Sequence, residues 1–478
     1  MPKTLTALLL TLLSLAPLAR TQDHDHDHDH AGHDHGAPAA VRPVEAPGNV
    51  AIPETPAGEQ LRWILDELAS KDDVKAEGRF TEAFSAQAPP DRLRLVFSQL
   101  RSALGNVELM RVDEQSPHAL VGVIRSGANQ TTWRVIVGVE GADPHRIDSM
   151  LFQPAPEEAI KPLRSWEEVD KSVAAMGEMA ALGVYRVTKD FALEPVHTLN
   201  DGQPLAIGSA FKFFVLEAVA NEVREGRLEW STPIEIRDEW KSLPSGVMQN
   251  LPRGTEKPLA EYARQMISIS DNTATDHLLR TLGREKVEGV YLARVKDPAR
   301  TLPFLTTREL FAAKLSEDGA LLNRYADADV ETRRAMLSEG GEIASAEPQL
   351  TLAEHWRIPQ RVDAVEWFAS PRDLAETIVA LHKASKEEGL GEVWRALSIN
   401  PGIPSLRTDW ASVGFKGGSE PGVLNVTWLL ERHAEKGGGW GVVAMTLNST
   451  KQPLDERTAI GLAQRVIEFF GASWSDAH

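Results

Sequence analysis

Ser209-Ala210-Phe211-Lys212 is the only S-x-x-K in the chain, and it opens the segment SAFKFFVLEAVANEVREG that runs to Gly226. Residues three apart on a helix share one face, so the Lys212 amine can reach the Ser209 hydroxyl. Serine is a weak nucleophile until a neighbouring base takes its proton. Phe213, Phe214, Leu216, Val219 and Val223 give the segment an apolar stripe, and Gly226 supplies a C-terminal stop. The pattern predicts a buried helix whose N-terminal dipole favours negative charge developing beside Ser209.

Two further motifs lie downstream. Ser270-Asp271-Asn272 falls between two helical patterns in PLAEYARQMISISDNTATDHLLRTLG. Ser, Asp and Asn are also the favoured N-caps, so a purely structural reading stays open. VGFKGGS, residues 413–419, reads as an edge strand followed by two more antiparallel strands, NVTWLLER and GWGVVAMTL. Lys416 is the candidate cation there. Lys436 is also followed by glycines, but it falls between those two strands and reads as a hairpin turn. Gly417 and Gly418 would let a ligand's backbone approach the strand closely.

The order S-x-x-K, S-D-N, K-x-G resembles the signature of class A β-lactamases and penicillin-binding proteins. The first two motifs lie 270 − 209 = 61 positions apart, and LDERTAIGLAQRVIEFF is similar to that family's closing helix. The likeness runs from about Arg164 to Gly471. It implies that Ser209 is the nucleophile and Lys212 the group that activates it. Ser270 would relay a proton to the leaving group, and Asn272 would hold Lys212 and the substrate amide. Lys416 would set positive charge beside Ser270 and a substrate carboxylate, with Arg457 packed near it and Gly417 and Gly418 contacting substrate. Backbone N–H groups of Ser209 and Ser419 would form the oxyanion hole, each donor worth roughly 3 kcal/mol in such sites. Ser245, in Leu243-Pro244-Ser245-Gly246, either lines the site or serves a turn.

The departures bear on substrate. Gly417 stands where relatives carry a Thr or Ser hydroxyl for the substrate carboxylate, and Ser419 is the candidate replacement. No E-x-x-L-N, which carries the deacylating glutamate in class A enzymes, occurs between the second and third motifs. The nearest string is GALLN, residues 319–323, with glycine in the acid's place. The interval of 416 − 270 = 146 positions is longer than the family's usual one. Glu309 and Glu366 are candidate general bases, although each also suits a helix start. A missing base costs roughly 10²–10⁴-fold, which favours esters over amides as substrates. The two-domain layout, with LAIGSAFKFFVLEAVANEVREG and SLPSGVMQN, resembles the β-lactamase-like protein of the clavulanic acid cluster, in which a small steroid-isomerase-like domain precedes the catalytic one.

Working outward, residues 163–475 are expected to form a β-lactamase fold, an antiparallel five-stranded sheet flanked by helices with an all-helical lobe. Before it, residues 57–155 predict a small α+β domain, cone-like, with two or three helices (GEQLRWILDELAS and DRLRLVFSQLRSALG among them) and then antiparallel strands (NVELMRV, HALVGVIRSG, TTWRVIVGVEG, with a candidate fourth at DSMLFQP). Residues 1–22 read as an export signal, with Lys3 before an apolar Leu5–Ala19 too short to span a bilayer. That places the protein in the periplasm or outside the cell without a stable membrane anchor; a retained N-terminal anchor is the other reading. Residues 23–56 hold a His/Asp tract and a Pro/Ala/Gly linker. His24, His26, His28, His30, His33 and His35 alternate with aspartates and suit zinc, nickel or copper, or else form a solvated spacer.

A formal charge of −18 over 478 residues argues against nucleic acid. The lack of cysteine excludes disulfides, thiolate sites and a lipid-bearing cysteine. The reaction calls for no cofactor. The reading is a serine hydrolase acting on a small carboxylate-bearing substrate, a β-lactam or an ester. A cell-wall carboxypeptidase or transpeptidase acting on muropeptides, and a non-catalytic binder of either ligand, are the alternatives.

Overall fold

The computed structural model describes residues 50–316, 319–346 and 356–474. The segment expected to be an export signal, the six tract histidines and most of the expected linker lie outside the described residues. Contacts divide the chain into two units that meet between Lys161 and Pro162.

In the first unit, Thr55 caps α1 (Pro56–Ala69), and its hydroxyl accepts from the Gly58 N–H at 3.3 Å. A short α2 (Glu82–Gln87) and α3 (Pro90–Leu104) follow, the latter stopped by Gly105 at φ +61°. Then come β1 (Val107–Ser116), β2 (Ala119–Ser126), β3 (Thr132–Val139) and β4 (Ile147–Pro154), paired in chain order as an antiparallel meander. The apolar faces of α1 and α3 close over that sheet through Leu61, Ile64, Phe97, Leu100, Ile124, Val135 and Phe152, all buried. The fourth strand is present, and α2 was not legible in the sequence.

The second unit is built on a five-stranded antiparallel sheet. Its strands are β5 (Met179–Val187), β6 (Leu193–Leu199), β11 (Ser412–Glu420), β12 (Val423–Glu431) and β13 (Trp440–Asn448), in spatial order β11-β12-β13-β5-β6. Helices cover both faces. Trp440 of β13 packs on His382 of α12 (Pro371–Ala384), ring centroids 4.1 Å apart, whereas its neighbour Gly441 faces Phe470 of α15 (Glu456–Ser473). Successive strand residues point to opposite faces, so α12 and α15 sandwich the sheet, with α4 (Trp166–Ala174) packed beside α15.

The helical part gathers around α5 (Lys212–Arg224), whose residues Lys212–Leu216 and Ala218–Ala220 are buried. α7 (Asn272–Leu282), α8 (Arg284–Arg294) and α12 pack against it. A two-residue strand β7 (Leu205–Ala206) pairs with β10 (Phe368–Ala369) just before α5. Paired ribbon β8 (Pro233–Glu235) and β9 (Glu256–Pro258), α6 (Leu259–Ser268), α9 (Thr307–Lys314), α10 (Ala320–Asp327), α11 (Val330–Leu337), α13 (Gly391–Ser398) and α14 (Leu406–Asp409) complete the unit. Among the described residues no helix is long and apolar enough to cross a membrane.

Candidate active site

Ser209 does not lie in an α-helix. It sits in a 3₁₀ turn, Gly208–Phe211, and the α-helix begins at Lys212. The tighter turn eclipses residues three apart, so Ser209 and Lys212 are stacked more directly than α-helical spacing would give. Two features force the turn. Gly208 takes φ +49°, open to glycine at little cost. Phe211 is pinned beneath it, stacked on Trp367 at 3.8 Å and edge-on to Phe304 at 5.6 Å. Ile207 N–H donates to the Trp367 carbonyl at 3.0 Å, fixing the approach to Ser209. Ser209 itself is half-exposed, as an attacking hydroxyl must be.

Lys212 is fully buried, and its three hydrogen bonds all run to the second motif: Ser270 O at 2.7 Å, Ser270 Oγ at 3.0 Å and Asn272 Oδ1 at 2.8 Å. Among the described residues Ser209 Oγ makes no hydrogen bond, and the Lys212 amine expected from the sequence to reach it bonds Ser270 and Asn272 instead. Apo sites commonly leave the catalytic bond long until substrate tightens it. Lys416, also buried, reaches Ser270 Oγ at 3.1 Å and bonds the Gly417 carbonyl. One hydroxyl therefore stands between two buried amines.

Burial and the nearby Lys416 charge hold the Lys212 amine well below the usual lysine range. Burial lowers Lys416 to about 7. A neutral Lys212 has two N–H donors, matched by Ser270 O and Asn272 Oδ1, and one lone pair that the Ser270 hydroxyl can serve. Lys416 then donates to that hydroxyl, which gives a proton path Lys416–Ser270–Lys212.

The loop that holds Ser270 is strained and braced. Ser270 has φ +59°, uncommon without glycine. Asp271 caps α7 through the Ala274 N–H at 2.8 Å and also accepts from Val247 N at 2.6 Å and Met248 N at 2.8 Å. The capping role is real, and it aims the flanking Ser270 and Asn272 at Lys212. Ser245 donates to the Ser270 carbonyl at 2.5 Å, and its own carbonyl takes the Asn272 N–H at 3.1 Å. Its hydroxyl proton thus braces the loop, in keeping with the turn role that the sequence also offered.

Gly418 explains the third motif. A Cβ there would lie 2.2 Å from Ile207 O and 2.4 Å from Ser209 N. A Cβ on Gly208 would lie 3.1 Å from Ser419 N. The close approach is thus made by the chain's own backbone, not by a ligand, and it sets the strand at Gly418 and Ser419 against the turn at Gly208 and Ser209. Gly417 faces the Phe415 ring on the other side of the strand. Arg457 departs from expectation. It is exposed in the first turn of α15, where its charge acts on Asp455; Lys416 turns to Ser270 instead.

Both expected general bases are engaged elsewhere. Glu309 closes a capping box with Thr306 at the start of α9 and pairs with Arg280 at 2.9 Å and Arg284 at 2.7 Å. Glu366 is buried without side-chain exposure and pairs with Lys314 at 2.6 Å. Sequence reasoning missed Lys314, Trp367 and Glu420; only the placement of Glu420, four residues beyond Lys416 on an alternating strand, carried a signal. A recess of about 700 Å³ lies elsewhere, beside β6, α5 and α12, and none of the motif residues line it. Three of its arginines are paired, Arg224 with Glu387 and Arg294 with Glu217 within the lining and Arg372 with Asp201 outside it.

Residues 168–470 match the model of a family described as the beta-lactamase enzyme family, and residues 52–142 match one described as ORF 12 gene product N-terminal. The first match spans more than half of the chain, and the chain belongs to the β-lactamase enzyme family. Among solved structures, a β-lactamase from Sphaerobacter thermophilus is 20% identical over 65% of this chain and 98% of its own, with a TM-score of 0.43. A β-lactamase from Chitinophaga pinensis is 16% identical over 64% and 98%, with a TM-score of 0.44. PBP-A is 17% identical over 65% and 98%, with a TM-score of 0.41. No curated protein matches.

Proposed function

We propose that the protein is an exported serine hydrolase of the class A type that forms an acyl-enzyme through Ser209. The observation that carries this reading is the convergence of Lys212, Asn272 and Lys416 on the Ser270 loop beside an accessible serine. Lys212 and Ser270 would pass the Ser209 proton to the leaving group while the Ser209 and Ser419 N–H groups hold the developing oxyanion. Lys416 would hold a substrate carboxylate when charged.

Glycine at 417 and the engagement of Glu309 and Glu366 in ion pairs favour a substrate with a good leaving group, an ester ahead of an amide. The small domain at 57–155 and the string around Ser209 favour kinship with the two-domain clavulanate-cluster type. The His/Asp tract would scavenge divalent metal without entering the reaction.

The test is purified protein with a chromogenic cephalosporin and with p-nitrophenyl acetate, followed by intact mass. The expected result is an acyl adduct that Ser209→Ala abolishes, with faster turnover of the ester. Wild type and Ser209→Ala behaving alike, without adduct or turnover, would sink the proposal. A stable penicilloyl adduct without hydrolysis would point to the cell-wall enzyme instead.

A further inference from the structure

Three buried ionisable groups that this mechanism leaves unused meet in one place. Lys314, at the end of α9, has a fully buried side chain and bonds Glu366 Oε1 at 2.6 Å and Glu420 Oε1 at 2.5 Å. The Trp356 ring covers the ammonium at 5.7 Å. Glu366 has no exposed side chain, whereas Glu420 keeps 7% of its own.

Position ties the triad to the site. Residues two apart on a strand face the same way, so Lys416, Gly418 and Glu420 of β11 present one face. Lys416 on that face bonds Ser270, and Gly418 abuts Ser209 N. Glu420 comes next, its Cα about 7 Å further along. On the other side, Glu366 immediately precedes Trp367, which bonds Ile207 and stacks on Phe211. The triad therefore bridges the two segments that bracket Ser209. A staple alone would not need charge there, because apolar residues fill such buried sites at equal or lower cost.

We propose that Glu420 takes the proton of the water that hydrolyses the Ser209 acyl-enzyme, with Lys314 and Glu366 as positioning residues. The inference rests on the acyl-enzyme reading above. The water oxygen bonds to the acyl carbon as its proton passes to the Glu420 carboxylate. The bond from that carbon to Ser209 Oγ then breaks, the proton is returned to Oγ, and the free acid leaves with Glu420 restored. Burial and Glu366 hold Glu420 well above the ordinary carboxyl range, which strengthens it as a base in its ionised form. Lys314 supplies the counter-charge.

Stopped-flow kinetics on the full chain with a p-nitrophenyl ester separates the burst of acylation from steady-state turnover, and intact mass reports the adduct. Glu420→Gln leaves the Lys314–Glu366 pair in place. It is expected to keep the burst rate within about twofold while turnover falls roughly 10²-fold and the adduct accumulates. Glu366→Gln should change turnover only a few-fold. Replacing the triad with Met, Leu and Leu at 314, 366 and 420 leaves no unpaired charge and guards against loss of fold; it should acylate and stall. The proposal is overturned if Glu420→Gln or the apolar triad turns over at the wild-type rate, if burst and turnover fall together in a folded variant, or if Glu366→Gln is the variant that traps the adduct. A wild-type protein that never acylates overturns the acyl-enzyme reading as well, whereas normal deacylation in Glu420→Gln overturns this proposal alone.

Discussion

Lys212 and Lys416 address the same oxygen, 3.0 and 3.1 Å from Ser270 Oγ. Two ammonium groups so placed repel, and burial penalises each charge further, so the site holds one proton more readily than two. The arrangement assigns different tasks to chemically identical side chains. In the proposed mechanism Lys212, which burial and the Lys416 charge push toward its neutral form, is the base, and Lys416 is the cation for an incoming carboxylate.

A pH signature follows from that division. The neutral fraction of Lys212 rises as pH climbs through its lowered value, and the cationic fraction of Lys416 falls as pH climbs through about 7. For a substrate bearing a carboxylate, kcat/KM should therefore fall above about pH 7. For p-nitrophenyl acetate, which has no carboxylate, that falling limb should be missing. A shared fall in both profiles between pH 5 and 9 would assign the limb to another group. Stability has its own sign. The unfolded chain binds a proton on Lys416 that the folded one lacks between about 7 and the free-lysine value, so stability rises with pH across that window. Lys416→Met should flatten the rise.

Ser270 carries both chemistry and strain. At φ +59° an L-residue costs about 1–2 kcal/mol over glycine. Ser270→Gly and Ser270→Ala both lose the hydroxyl that joins the two lysines, so both should lose acylation. The glycine variant should nevertheless be more stable than the alanine variant by about 1 kcal/mol, read from paired denaturant melts. Equal stability would mean that the backbone relaxes out of the left-handed region in solution.

Glu309 was a reasonable candidate base from sequence, and it separates what was legible from what was not. The three motifs, the order of the strands and the helix after Ser209 are local patterns that periodicity and capping chemistry expose. Where a carboxylate points is decided by partners far along the chain: Arg280 and Arg284 for Glu309, Lys314 for Glu366. The 3₁₀ turn at Ser209 escaped for the same reason, since Trp367 and Gly418 impose it from more than a hundred residues away. Lys314 and Glu420 are ordinary charged residues until the fold buries them together.

The Glu309 assignment has a direct test. Its ion pairs hold the carboxyl below the usual range, Arg284 being the closer partner. That stabilisation is present above the unfolded glutamate's pKa and is lost as pH falls through the folded one. Glu309→Gln should cost about 3 kcal/mol at pH 7 by leaving Arg284 buried without its counter-charge, while turnover per folded molecule stays within about twofold. A folded variant that accumulates acyl-enzyme would restore Glu309 as the base.

Ser245 predicts a subtler loss. Its hydroxyl bonds the Ser270 carbonyl that Lys212 also uses, at 2.5 and 2.7 Å. Ser245→Ala removes one brace, worth about 1 kcal/mol, and loosens the loop that presents Ser270. The acylation rate should fall roughly fivefold if that energy is spent on positioning. KM should stay near the wild-type value, because the hydroxyl points at the loop. A rise in KM with unchanged acylation would return Ser245 to the substrate.

Gly418 offers the sharpest separation of fold from function. An alanine methyl there meets Ile207 O at 2.2 Å and Ser209 N at 2.4 Å, inside any tolerable contact. Neither atom can move alone. Ile207 is tied to Trp367, and Ser209 N belongs to the turn that Phe211 anchors. The cheaper response is for the edge strand β11 to swing outward, since it pairs on one side only, with β12. That motion separates the two N–H groups of Ser209 and Ser419 and draws Lys416 from Ser270. Gly418→Ala should therefore melt within a few degrees of wild type yet lose acylation by at least about 10²-fold, the cost of one oxyanion donor. Gly417→Ala, one residue earlier and facing away, should lose far less, with the adduct by intact mass as the readout for both. Wild-type acylation in Gly418→Ala would mean that the two backbones do not need to touch, and that the oxyanion is held elsewhere.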